Sequence, residues 1–201
     1  EILPVNAPNA ITGALEILYS GGLVAFPTDT VYGVGALAFD GKAVESIYIA
    51  KERPVEKAIP VLIGDREDLS MVAEEIPLFA ARLIARFWPG PLTVLVPKKP
   101  ALPEVVSANP AVGVRVPDHE VARTLLRLSG PLAVTSANRS SQPSPTTAQE
   151  VLQQLGGRIA LILDGGRTPG GIPSTLVDCT GIEIQVLREG PITKEQMLNA
   201  I

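Results

Sequence analysis

Short apolar runs alternate with amphipathic segments along most of the chain. The apolar runs are rich in β-branched residues and predict strands over residues 23–26, 58–63, 92–96, 112–116, 132–134, 159–163, 174–179 and 184–187. The amphipathic segments repeat apolar residues at helical spacing and predict helices over residues 10–20, 42–51, 77–87, 119–128, 148–155 and 194–200. Because strands and helices alternate, the pattern predicts a single α/β domain over residues 1–201, with helices packed around a twisted mixed sheet.

Two of the predicted helices begin with the sequence of a capping box. Thr147 is followed three residues later by Glu150, and Thr193 is followed in the same way by Gln196. In this arrangement each side chain satisfies a backbone N–H of the other residue. We therefore expect helices to begin just after Thr147 and Thr193.

Composition and net charge limit the classes of protein to which the chain can belong. Of the 201 residues, 46% are hydrophobic, which is enough for a large core, and the net charge is −4. A protein that binds nucleic acid mainly by electrostatic attraction needs a basic surface, so the acidic composition disfavours that class. The composition is still compatible with a local basic patch. The single cysteine, Cys179, excludes an internal disulfide and a multi-cysteine zinc site, and its apolar strand predicts a buried structural thiol. With no apolar stretch of about 20 residues and no leader pattern at the N-terminus, a cytoplasmic protein without a membrane span is expected.

Two cations stand close together at the end of the helix predicted over residues 42–51. Lys51 lies on the apolar stripe of that helix, where it either extends its ammonium along a helix C-terminus or belongs to a site. Pro54 disfavours helical backbone at Arg53, so the two cations are expected to leave the chain in different directions. Lys51 and Arg53 are thus candidates for neutralising a polyanion such as triphosphate.

Arg115 is a second candidate, because of its position in the strand over residues 112–116. The valines of this strand share one face, which leaves Arg115 on the other face with Gly113 beside it. An arginine there either faces solvent or lines a cleft. We favour the cleft, where the guanidinium would match a carboxylate.

Asp29 and His119 have ordinary interpretations as well as functional ones. Asp29 follows a predicted strand between two threonines, so it holds a hydroxyl or a magnesium-bound water, or else completes a turn. His119 is the only histidine, and we expect a surface residue rather than a general base. No Ser-His-Asp or Cys-His arrangement is predicted, and the glycine motifs of P-loop and dinucleotide-binding proteins are missing.

Several ordered motifs resemble the YrdC-like family of threonylcarbamoyl-AMP synthases. The resemblance covers nearly the whole chain and one departure is visible, because Leu62 lies near the place where many members have a histidine that contacts threonine. The motifs are Lys-x-Arg at 51–53, Ser-x-Asn at 136–138, and the runs at 26–33, 87–93, 113–117, 173–178 and 188–190. The resemblance implies the short, single-domain form of the YrdC-like fold, with a concave cleft.

The resemblance also implies a reaction and a set of site residues. L-threonine, bicarbonate or CO2 and ATP would give threonylcarbamoyl-AMP and pyrophosphate, with Lys51 and Arg53 in the catalytic role. Mg2+ would enter with ATP, so no dedicated metal ligands are expected. The further ATP contacts implied are the Ala111 backbone, Asn138, Thr146 and Arg188, and the L-threonine contacts implied are Thr30, Arg115, Ser136 and Ser174. For Arg188 the residues alone favour a solvated side chain after an edge strand.

The acceptor step would belong to partner proteins that transfer the threonylcarbamoyl group to tRNA, and a weak contact with tRNA is left open. Two alternatives stand beside this function. One is an RNA-binding module without turnover, which the aromatic content of 4% disfavours. The other is a carbamoyl-adenylate domain of the hydrogenase-maturation type, which is expected to carry flanking modules.

Overall fold

A computed structural model describes residues 1–201 and contains one ten-stranded mixed sheet with seven α-helices. The strands are β1 (Ile2–Pro4), β2 (Val24–Phe26), β3 (Gly33–Leu37), β4 (Val61–Leu62), β5 (Leu92–Pro97), β6 (Ala111–Arg115), β7 (Leu132–Ser136), β8 (Leu161–Asp164), β9 (Thr175–Asp178) and β10 (Gln185–Arg188). The helices are α1 (Ala10–Tyr19), α2 (Gly41–Lys51), α3 (Leu69–Val72), α4 (Leu78–Phe87), α5 (Glu120–Ser129), α6 (Ala148–Leu155) and α7 (Lys194–Leu198). The strand order is β1-β8-β2-β3-β7-β4-β6-β5-β9-β10, so the α/β class and the mixed sheet are confirmed.

The two faces of the sheet carry cores of different size. The larger core packs α2, α4 and α6 against one face, and it includes a row of buried valines across four adjacent strands. The valines of this row are Val61, Val114, Val94 and Val177. The smaller core packs α1 and α5 against β2, β4, β7 and β8 on the other face. No residue of β5, β6, β9 or β10 belongs to this smaller core, so that core covers only part of this face.

Three elements were not predicted from the pattern, namely β1, β3 and α3. Strand β3 escapes prediction because glycine is depleted in strands. The structure explains its two glycines, since a Cβ at Gly33 would lie 2.7 Å from Val134 Cγ1 and one at Gly35 would lie 2.9 Å from Val134 Cγ2. Glycine at these positions lets β3 pair closely with β7.

The helix starts are confirmed with one change. Thr193 and Gln196 form the predicted capping box. Thr147 accepts from the Glu150 amide as predicted, but the Glu150 carboxylate accepts from the amide of Thr146 rather than that of Thr147. In this capping box, the hydrogen bond to the Glu150 carboxylate is therefore displaced by one residue.

Cys179 is fully buried, and burial raises the pKa of its thiol to about 12, as expected for a structural cysteine. None of the seven helices has the length and apolar character needed to cross a bilayer.

Candidate functional site

A cavity of about 230 Å³ opens beside the smaller core, with which it shares Leu62 and Val134. Five of its residues form one row across adjacent strands. Leu62 pairs with Arg115, Arg115 lies opposite Thr93 when the β5–β6 register is continued by one residue, Thr93 pairs with Leu176, and Leu176 pairs with Arg188. Four of these strands, β4, β6, β5 and β9, turn buried valines to the larger core. Side-chain alternation therefore separates the cavity from the core.

The charge on the cavity wall is entirely positive. Arg53, Arg115 and Arg188 line it, and no aspartate or glutamate does. The pKa of Arg188 is lowered by partial burial and then by the charges of Arg115 and Arg53, so the three guanidinium groups lie close enough to repel one another. In a chain of net charge −4, such a concentration of cations marks an anion-binding site.

Arg115 lies in the cleft, as the alternation of its strand predicts, and is only 5% exposed. It donates to the Gly90 carbonyl at 2.9 Å, to Thr30 Oγ1 at 3.0 Å and to Asp29 Oδ1 at 2.5 Å. These contacts use three of the five N–H groups of a guanidinium, which leaves two for a bound anion. Asp29 also accepts from the Asp118 amide at 3.1 Å, so its carboxylate serves the protein's own contacts.

Hydroxyl groups surround Arg115 and Arg188. The predicted Thr30, Ser136 and Ser174 all line the cavity. Arg188 donates to the Ser174 carbonyl at 2.8 and 3.0 Å and to Ser174 Oγ at 3.2 Å. Arg188 thus turns toward the site rather than away from it.

Four further polar residues of the wall, Thr28, Tyr32, Thr93 and Thr135, were missed by sequence reasoning. Thr93 shares a 2.8 Å hydrogen bond with Ser174, Thr28 shares a 3.0 Å hydrogen bond with Thr30, and Tyr32 donates to the Gly166 carbonyl at 2.7 Å. Thr93 carried a signal, because it alternates with Leu92 and Val94 in the way that Arg115 alternates with its valines. Thr28 and Tyr32 lie in the run at 26–33 that carries part of the family resemblance, but no role was assigned to either residue.

The backbone directs Lys51 and Arg53 to different places. Glu52, between them, has left-handed backbone with φ 53° and caps α2. Arg53 reaches the cavity wall and donates to the carbonyl oxygens of Lys57 at 3.1 Å and Ala58 at 2.9 Å. The predicted divergence is confirmed, although the chain already turns at Glu52, before Pro54 can act.

Lys51 does not reach the cavity wall. Its side chain is 1% exposed, and its Nζ donates to the carbonyl oxygens of Ser136, at 2.5 Å, and of Asn138. Burial, with a smaller contribution from the charge of Arg53, lowers the pKa of Lys51 to about 7. The ammonium therefore lies behind the turn that follows β7.

The other predicted nucleotide contacts also lie off the wall. Asn138 is buried, with Nδ2 donating to the Arg139 and Gln142 carbonyls and Oδ1 without a partner. Thr146 contacts Glu150 and Arg167 at the start of α6. Ala111 begins β6, where its carbonyl accepts from Ser107 at 2.8 Å.

The chain groups no three histidine, cysteine, aspartate or glutamate side chains in a way that could hold a metal ion. The cavity wall carries guanidinium and hydroxyl groups but no carboxylate, the side-chain group through which proteins usually hold Mg2+.

Comparisons with known proteins give matches over most of the chain. A family model for Sua5, YciO and YrdC proteins, described as telomere recombination, matches residues 16–190. The threonylcarbamoyl-AMP synthase of Bacillus subtilis is 46% identical over 97% of this chain and 57% of its own length. That of Pyrococcus abyssi is 44% identical over 94% of this chain and 56% of its own length. The chain thus spans a little over half the length of these curated relatives.

One solved structure has the same fold as this chain. The crystal structure of Pyrococcus abyssi Sua5 complexed with L-threonine superposes with a TM-score of 0.92 and is 44% identical, covering 95% of this chain and 57% of that one.

Proposed function

Because the chain belongs to the Sua5, YciO and YrdC family, we propose that it makes threonylcarbamoyl-AMP from L-threonine, bicarbonate or CO2, and ATP. The observation that carries this proposal is the cavity with three arginines and no carboxylate on its wall. All the substrates that it must bring together carry anionic groups, apart from CO2. The names of the relatives at 44 and 46% identity favour this enzyme over an RNA-binding module without turnover.

The reaction needs no covalent bond to the protein. The amine of threonine adds to the carbon of CO2 and loses a proton, which gives an N-carboxylate. An oxygen of that carboxylate attacks the α-phosphorus of ATP, a P–O bond forms, the bond from the α-phosphorus to the bridging oxygen breaks, and pyrophosphate leaves. Catalysis then consists of holding two anions against each other and stabilising charge on the phosphate, which suits preorganised cations and hydrogen-bond donors.

The cavity has two ends that suit these two anions. Arg115 has two N–H groups left for the threonine carboxylate, and Thr30 beside it supplies a hydroxyl. Arg53 uses two of its N–H groups on the Lys57 and Ala58 carbonyls and keeps three for phosphate. Arg188 donates to Ser174, and its pKa is lowered by partial burial and by the charges of both Arg115 and Arg53, so it lies near both arginines.

The remaining assignments rest on the family. Ser136 and Ser174 supply hydroxyls to threonine, and Asn138, Thr146 and the Ala111 backbone contact the nucleotide. We also propose that Mg2+ enters with ATP, bound to phosphate oxygens and water, where it neutralises phosphate charge. A partner enzyme then transfers the threonylcarbamoyl group to adenosine in tRNA.

Pyrophosphate release by the purified chain tests the proposal. We expect release that requires L-threonine, bicarbonate and ATP together, with one adenylate formed for each pyrophosphate. The matched control is the Arg53→Gln variant, which keeps a polar side chain but removes the charge and should lose most of the turnover. Release that continues without threonine or without bicarbonate would refute the proposed reaction, and RNA binding without any release would favour the non-enzymatic alternative.

A further inference from the structure

Lys51 is the one predicted catalytic residue whose charged group faces the protein instead of the cavity. It ends α2 on the buried stripe of that helix and is 1% exposed. Its Nζ donates to the carbonyl oxygens of Ser136 and Asn138, and its own carbonyl accepts from the Ser140 amide at 2.8 Å. Three hydrogen bonds therefore join this single residue to the turn over residues 136–140.

The turn has further contacts that fix its position. The Ala137 amide donates to the Tyr32 carbonyl at 2.8 Å, and the Arg139 amide donates to Gln154 Oε1 at 3.0 Å. Glu52, next to Lys51, accepts from Arg139 at 2.5 Å. The end of α2 and the turn thus form one connected unit, with Lys51 at its buried centre.

The turn begins on the cavity wall. Ser136 is the last residue of β7 and lines the cavity, and the Lys51 ammonium holds its carbonyl oxygen from behind. Hydrogen bonds from a charged donor are among the stronger ones, and they fix the oxygen that they reach. A shift of the turn would move the Ser136 hydroxyl relative to Arg115 across the cavity.

We propose that Lys51 is a positioning residue that holds the turn over residues 136–140 and thereby places Ser136 in the cavity, without contacting phosphate itself. The inference rests on the proposed function for the ligand that Ser136 meets. It divides the Lys-x-Arg pair into one residue that shapes the site and one, Arg53, that touches substrate.

The test compares Lys51→Met with wild type and with Lys98→Met. Methionine keeps an unbranched apolar side chain and removes the donors. Lys98 is a matched control, because its Nζ also donates to a main-chain carbonyl, that of Ser107 at 2.6 Å, away from the cavity wall. Far-ultraviolet circular dichroism confirms that each variant is folded.

Two measurements are made without nucleotide. Below pH 7, where Lys51 is protonated, hydrogen exchange of the amides of Ala137, Arg139 and Ser140 should quicken roughly tenfold or more in Lys51→Met. It should stay unchanged in Lys98→Met, because only the first variant loses charged hydrogen bonds to the turn. Titration calorimetry should show L-threonine binding weakened at least about fivefold in Lys51→Met alone, since a displaced hydroxyl no longer meets its ligand.

A direct contact between Lys51 and phosphate predicts the opposite results. A lysine that only touches phosphate would leave both exchange and threonine affinity unchanged while weakening the binding of a non-hydrolysable ATP analogue, and that result overturns the proposal. Unchanged exchange overturns it whatever the affinities are, and so does unchanged threonine affinity in a wild type that binds threonine. If wild type binds no threonine, the proposed function fails, and the exchange measurement alone decides whether Lys51 holds the turn.

Discussion

Replacing Lys51 by methionine should change how the stability of the protein depends on pH. The pKa of Lys51 is lowered from 10.5 to about 7 by burial, with a smaller effect from Arg53. Between these two values the unfolded chain binds a proton that the folded protein does not, so the free energy of unfolding rises as the pH rises. Below pH 7 both states are protonated, and the folded protein carries the full cost of burying the charge.

The magnitude follows from the width of the usable pH range. Each pH unit contributes about 1.4 kcal/mol when one proton distinguishes the two states. Cys179 limits the range at the upper end, because its raised pKa means that the unfolded chain loses the thiol proton above pH 9, with the opposite effect on stability. From pH 7 to 9 the ceiling is therefore about 2.7 kcal/mol. The carbonyl oxygens that accept from Nζ favour the charged form, so we expect a gain of about 2 kcal/mol.

Urea unfolding of wild type and Lys51→Met at pH 7, 8 and 9 measures this gain directly. The difference between the two unfolding free energies should change by about 2 kcal/mol across the series in favour of wild type, because every other titrating group is shared. Parallel pH profiles for the two proteins would show that Lys51 stays charged throughout, and the burial argument would then be wrong.

The remaining predictions concern the cavity. Arg115→Gln should raise the dissociation constant of L-threonine at least about tenfold, because a charge-assisted pair is lost; calorimetry that shows equal affinity would remove Arg115 from the carboxylate site. Arg53→Gln should weaken an ATP analogue roughly tenfold while threonine binding without nucleotide stays within a few fold, and equal losses for both ligands would contradict separate ends of the cavity. Leu62→Ala opens the apolar wall, so the preference for threonine over serine, worth only ~1–3 kcal/mol at the outset, should fall in competition assays of turnover. A preference that is unchanged would place the methyl group elsewhere.

Much of the fold could be predicted because periodicity reports which face of a strand is buried. The valines of β6 identified the core face, and Arg115 followed from them by alternation. Strand β3 could not be found in this way, because Gly33 and Gly35 are selected by the crowding of Val134, which belongs to a strand about 100 residues away in sequence. Local patterns do not record such distant neighbours.

The site was predictable to different degrees for its different members. Arg53 and Arg188 were expected to serve ATP and both reach the cavity, although the residues alone favoured solvent for Arg188. Its orientation depends on pairing with Leu176, which a single strand does not reveal. Lys51 was expected to neutralise a polyanion together with Arg53, but its Nζ donates to the Ser136 and Asn138 carbonyl oxygens and does not line the cavity.

The row from Leu62 to Arg188 has a consequence for folding. Its five residues are spread over 127 positions of the chain, from 62 to 188, and they become neighbours only when strands β4, β6, β5, β9 and β10 have all paired in register. The pairings of Leu62 with Arg115 and of Thr93 with Leu176 are 53 and 83 residues apart in sequence, so we expect these two contacts to form late. A slip of one residue in β4, β5, β6 or β9 would turn its valine toward the cavity and its site residue toward the core. Substrate binding therefore requires that all five strands are paired. Binding of a ligand that contacts the complete row is a better measure of cooperative folding than secondary-structure content is.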